Sequence, residues 1–179
     1  VAAEVTLSNE TLAQRIEQTG DPELERALDW SKAVNASIAD IVNGIAPFIP
    51  ARKSLDAMAA GADLVVVSQT PTEALTREWR EHGIDRYVRA IAGQEFGSKA
   101  YHLAEASRGR YAAGCRLMIG DAPGDLAAAQ ETGFLFFPIV PGEEDASWER
   151  FGLDGLPRFL DGSFDESYEN DLIATFLRA

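Results

Sequence analysis

Residues 116–140 read RLMIGDAPGDLAAAQETGFLFFPIV, and the fold class turns on this stretch. Arg116 to Ile119 is short, apolar and closed by Gly120, the pattern of a strand covered on both faces. Pro123 to Thr132 is alanine-rich, opens with a proline and stops at Gly133, which is the start-and-stop asymmetry of a helix. Phe134 to Val140 is apolar again, and Pro138 favours an edge position because it has no N–H to give to a ladder. Strand, helix and strand in so short a span predict a right-handed crossover between parallel strands.

The same alternation extends upstream. Ala62 to Ser68 (ADLVVVS) predicts a valine-rich strand, Thr72 to Glu81 a helix ended by His82 and Gly83, and Tyr87 to Ala92 a second, weaker strand. Ser98 to Ser107 predicts a helix with Ser98 at its N-cap, and Ala51 to Ala60 another that ends at Gly61. From Ser8 to Ile45 apolar residues recur at spacings of three and four, which predicts two or three amphipathic helices. The break falls at Gly20, Asp21 would cap the next helix with Pro22 at its first position, and Gly44 would stop it. Beyond Pro141 short helices are expected at Glu143 to Phe151 and Glu166 to Leu177, with Trp148, Phe151, Phe159 and Phe164 available to pack on a sheet edge or meet a partner. The class is therefore α/β, a parallel sheet with helices on both faces, and ligands in such sheets gather at the carboxyl ends of the strands.

Composition narrows the function. The 179 residues are 46% hydrophobic and 25% charged, ordinary for a globular chain and too apolar for disorder. Sixteen Lys and Arg against 29 Asp and Glu leave a net charge of −13, which argues against nucleic acid or an anionic membrane as partner. An anionic ligand would need local help, from a divalent cation with a lysine beside it. The single cysteine, Cys115, excludes an internal disulfide and is expected to be a small buried residue. The start VAAEVTLSNE lacks a signal-peptide pattern and no run approaches a membrane span, so a cytoplasmic location is expected. Trp30, Trp79 and Trp148 read as packing anchors, and His82 and His102 lack companions at zinc-ligand spacing.

Three groups remain as candidates for chemistry. In GDAPGD, Gly120 permits a sharp exit from a buried strand, and Asp121 and Asp125 can face each other across the loop and first helical turn, which suits Mg²⁺. Asp125 could equally decorate the helix start, where an acidic residue is favourable. Asp161 and Asp165 in DGSFD repeat the spacing without a buried strand before them and read as a surface turn. Lys99, one residue after the N-cap, opposes the helix dipole, a local conflict that hints at a functional use. Ser68, followed by Gln69 and Thr70, ends the valine strand where a hydroxyl and backbone N–H groups could hold a phosphate oxygen.

In their order along the chain, Ser68 after a strand, Lys99 at a helix start and Gly120, Asp121 and Asp125 after a further strand resemble motifs two, three and four of the haloacid dehalogenase-like superfamily, over roughly Pro47 to Val140. The resemblance implies a Rossmannoid parallel sheet flanked by helices, with residues 1–45 as a small helical cap segment and residues 46–179 as the core. It implies a Mg²⁺-dependent phosphohydrolase acting on a small phosphorylated metabolite through an aspartyl-phosphate. Ser68 and Gln69 would bind the phosphoryl group with Lys99, Asp121 would ligate Mg²⁺, and Asp125 would support the metal shell or the lysine. The family's nucleophile and its acid/base form an Asp-x-Asp pair after the central strand, and no Asp-x-Asp occurs in these 179 residues. A central strand and nucleophile outside this chain are therefore expected. The alternative is a catalytically inactive relative that binds or assembles.

Overall fold

A computed structural model describes residues 9–41 and 44–178. The chain divides into two compact units, residues 1–45 and 46–179.

In the first unit, α1 (Asn9–Thr19) packs against α2 (Pro22–Ile41). Gly20, at φ 60°, makes the reversal between them. Asp21 Oδ1 accepts from Glu23 N at 2.9 Å, so the expected cap forms. Ser31 Oγ donates to Asn9 Oδ1 at 2.7 Å and ties the two helices. The expected start at Ser8 lies outside the described residues, as do positions 42 and 43 of the expected helical stretch. Trp30 is not a packing anchor: it is 70% exposed, because two positions along a helix turn it by about 200° from the face of buried Leu28.

The second unit contains α3 (Ile49–Met58), β1 (Val65–Val67), α4 (Thr72–Glu81), β2 (Ala90–Ala92), α5 (Lys99–Ser107), β3 (Leu117–Gly120), α6 (Pro123–Thr132), β4 (Leu135–Pro138), α7 (Glu144–Arg150), α8 (Leu156–Asp161) and α9 (Glu166–Phe176). The fold is mixed α/β. Strand β1 pairs parallel with β2, Val66 opposite Ile91, and β3 pairs parallel with β4, Met118 opposite Phe136. The continuous sheet expected from the sequence is not formed; among the described residues there are two two-stranded sheets and no ladder between β1 and β3. Each helical crossover returns the chain beside the strand it left, so the four apolar runs satisfy one another in two pairs.

Both sheets nevertheless separate the same two apolar clusters. On one side Leu64 before β1, Leu117 and Ile119 of β3, and Leu135, Phe137 and Ile139 join Met58, Phe151, Leu156, Phe164 and Leu172. On the other side Val67, Met118, Phe134 and Phe136 join Leu103, Leu126, Ala128, Ala129 and Phe176. The parity is that of strands with alternate residues on opposite faces.

The edges differ. On β4 the N–H groups that point away from β3 are taken up: Phe136 N donates to Glu169 Oε1 at 2.7 Å, Pro138 has no N–H, and Val140 N donates to Ser147 Oγ at 3.0 Å. On β3, the bonds of Leu135 N to Arg116 O and Ile139 N to Gly120 O show which side faces β4, so the peptide groups of Leu117 and Ile119 point the other way. On β1, Arg89 N to Leu64 O and Ser68 N to Ala92 O likewise leave Val65 and Val67 pointing away from β2.

Two further expectations change. Cys115 is exposed rather than buried, because it lies in a turn, its N–H on Ala112 O at 3.1 Å, before β3 begins. The tail carries α8 and a π-helical turn, Phe151–Gly155, that its glycines and Pro157 obscured in the sequence. Gly155 serves packing there, since a Cβ would lie 2.7 Å from Phe137 Cε2.

Candidate active site

Strand β3 ends at Gly120, where the chain must turn at once to start α6. A Cβ on Gly120 would collide with the Asp125 side chain, so glycine is what lets the carboxylate fold back over the strand end. Asp125 is 2% exposed. Its Oδ2 accepts from Asp121 N and Ala122 N, both at 3.1 Å, and its Oδ1 accepts from Lys99 Nζ. Those amides belong to the loop and the helix start, so a carboxylate there offsets their partial positive charge and satisfies groups that would otherwise be orphaned.

Lys99 reaches this carboxylate from the first position of α5, whose N-cap Ser98 accepts from Tyr101 N through its Oγ at 3.2 Å. The Lys99 side chain keeps 22% of its surface and that of Asp125 only 3%. The lysine is thus held by one partner and still open to a ligand, and its unfavourable place at a helix start is offset by the ion pair.

Asp121 is exposed, and only its backbone N–H enters the hydrogen bonding of the loop. Its carboxylate is available for coordination. Both oxygens of Asp125 are committed, which places it as the support of Lys99 and of the loop. Among the described residues no group of three or more His, Cys, Asp and Glu gathers to hold a metal. One free carboxylate is still compatible with Mg²⁺, which is commonly held by one or two carboxylates together with substrate phosphate and water.

Ser68 follows β1 at the carboxyl end of the neighbouring sheet, half-buried, with its N–H on Ala92 O at 3.0 Å and its Oγ accepting from Thr70 N at 3.1 Å. Gln69 is exposed beside it. The two sets of residues are linked through the segment after β2. Gln94 N donates to Thr70 O at 3.2 Å, and Gly93 N to Thr72 Oγ1 at 3.1 Å. Glu95 Oε2 accepts from Thr72 Oγ1 at 2.7 Å and from Thr72 N at 3.1 Å. Burial raises the Glu95 pKa, but the Thr72 hydroxyl and the backbone amides outweigh it and hold the carboxyl below its ordinary value.

Sequence reasoning named Ser68, Gln69, Lys99, Asp121 and Asp125 and pointed to the Gly93 to Lys99 loop as the segment after a strand end, but it gave Thr72, Gly93 and Glu95 no individual role. The local signal of this contact is the glycine after β2. A Cβ there would lie 2.5 Å from Thr72 N and 2.6 Å from Thr70 O, so only glycine admits the neighbouring loop. The pair in DGSFD is a surface arrangement: Asp161 Oδ1 accepts from Ser163 N and Asp165 Oδ1 from Tyr168 N, each at 2.8 Å. No family model, curated protein or solved structure matches the chain.

Proposed function

We propose that the protein is a Mg²⁺-dependent phosphohydrolase of the haloacid dehalogenase-like kind, acting on a small phosphomonoester. The observation that carries the reading is the pairing of part-buried Lys99 with buried Asp125 beside the free carboxylate of Asp121. Residues 26 positions apart meet at the carboxyl end of a parallel strand, where ligands of α/β sheets bind. Lys99, together with a cation held by Asp121, would supply local positive charge against the net charge of −13.

In this reading Ser68 Oγ and the amide of Gln69 hold phosphoryl oxygens, the Thr70 N–H holds the Ser68 hydroxyl in place, and Lys99 neutralises charge on the phosphate. Asp121 holds the metal. Bound Mg²⁺ would supply Lewis-acid stabilisation of the charge that develops on those oxygens. Asp125 keeps Lys99 aimed and the loop closed. The reading requires an aspartate nucleophile that residues 1–179 do not offer as Asp-x-Asp. It is supported by the backbone edges of β1 and β3, whose Val65, Val67, Leu117 and Ile119 peptide groups point away from their own ladders. A parallel strand carrying the nucleophile would pair with both, at the centre of one layer.

The test is hydrolysis of an aryl phosphate by the full-length protein with Mg²⁺. Turnover should disappear in excess chelator, and Asp121→Asn should lower it on the order of a hundredfold while leaving the melting temperature near wild type. Activity that persists without the metal would sink the assignment. No turnover under any condition would favour an inactive relative that binds or assembles.

A further inference from the structure

We infer that Glu95 is a positioning residue for the Ser68 loop, acting as a cap supplied to α4 from the segment that follows β2. The inference rests on the phosphohydrolase reading for its consequence and on geometry for its existence. Helix α4 begins after Pro71, which offers no side-chain cap, so the N–H of Thr72 needs an outside acceptor. Glu95 supplies it with the same carboxylate that accepts the Thr72 hydroxyl. A carboxylate is also the favoured charge at that helix end.

The clamp has three further points. Gly93 N donates to Thr72 Oγ1, Gln94 N donates to Thr70 O, and Ser68 N donates to Ala92 O. Ser68, Gln69 and Thr70 are therefore fastened at both ends to the segment that runs from β2 into Lys99. Glu95 stands four residues before the lysine. Its carboxylate is occupied by the two donors of Thr72, and the Gln69 and Thr70 region keeps a fixed backbone for a phosphate to meet. Because the Glu95 carboxyl is held below its ordinary value, the clamp stays closed throughout the neutral range.

Three variants of the full-length protein test this: Glu95→Ala, Glu95→Gln and Thr72→Val. Amide hydrogen exchange over residues 68–75, inorganic phosphate affinity, and KM against kcat for the aryl phosphate are measured together. Glu95→Ala and Thr72→Val should speed exchange in this segment by about tenfold. They should also weaken phosphate binding and raise KM by about tenfold, with kcat changed much less. Glu95→Gln keeps an acceptor oxygen and should recover most of both effects. Unchanged exchange in Glu95→Ala would overturn the clamp, and faster exchange with unchanged phosphate affinity would overturn its positioning role. If the wild-type protein neither binds phosphate nor turns over, the phosphohydrolase reading fails, and exchange alone still decides whether Glu95 orders the loop.

Discussion

Asp121 and Asp125 in GDAPGD and Asp161 and Asp165 in DGSFD share a spacing of four and differ in nearly everything else. In the first pair the leading carboxylate is free and the trailing one is buried on Lys99 and two amides. In the second the leading carboxylate closes a turn over Gly162 at φ 80°, and the trailing one caps α9 from the surface. Spacing alone therefore says little. A buried strand in front, a glycine that lets the side chain fold back and a lysine from another helix set the first pair apart from the second.

The contrast can be broken by substitution. Asp125→Ala should cost about 3 kcal/mol, because it leaves the part-buried Lys99 and two loop amides without their partner. Denaturant titration measures it, and a loss below 1 kcal/mol would show that the pair is ornamental. Asp125→Asn should restore the amide acceptors and leave the lysine unpaired, an intermediate loss that separates the two contributions. Asp165→Ala should cost about 1 kcal/mol, the usual value of a helix cap. Asp161→Asn should stay within about 0.5 kcal/mol of wild type. Equal effects at Asp125 and Asp165 would erase the distinction between the two loops.

A third carboxylate sharpens it from the side of pH. Glu169 is pushed up from its ordinary value by burial, against the lowering effect of the Phe136 N–H that it accepts. An acid whose pKa is higher in the folded state binds its proton more tightly there. Its contribution to stability is full below the ordinary value of 4.5 and is lost as pH rises through the raised one. Glu169→Gln keeps an oxygen for Phe136 N–H and has no charge to desolvate. Its melting temperature should exceed that of wild type by about 1–2 °C at pH 7, and the gap should close below pH 4.5. A gap that does not change with pH would mean that the charge state of Glu169 is immaterial to the β4 edge.

Much of this was legible beforehand. Helix α4 spans Thr72–Glu81 and α6 spans Pro123–Thr132, as the apolar period, the prolines and the stopping glycines indicate. Ser98 caps α5 as its residue type suggests. Strand ends shifted inward, since β1 keeps only Val65–Val67 of the seven-residue run, because a parallel strand ends where its neighbour stops pairing. The tail was harder: α8 and the π-helical turn are stabilised by Phe151 and Leu156 against Phe137, contacts more than ten residues apart that no local window contains.

Within the site, local chemistry in the chain was enough to mark Ser68, Lys99, Asp121 and Asp125, because strand ends, helix starts and glycine turns are written in short-range patterns. Only the tertiary structure decided which of the two aspartate side chains is buried and which is left exposed. The free carboxylate of Asp121 and the committed one of Asp125 depend on where α5 delivers Lys99, across 26 residues of chain. Tertiary structure alone also brought Glu95 to Thr72 and left the edges of β1 and β3 without a shared ladder. Pairing of this kind is set by which backbone groups meet in space, and local periodicity carries no record of it.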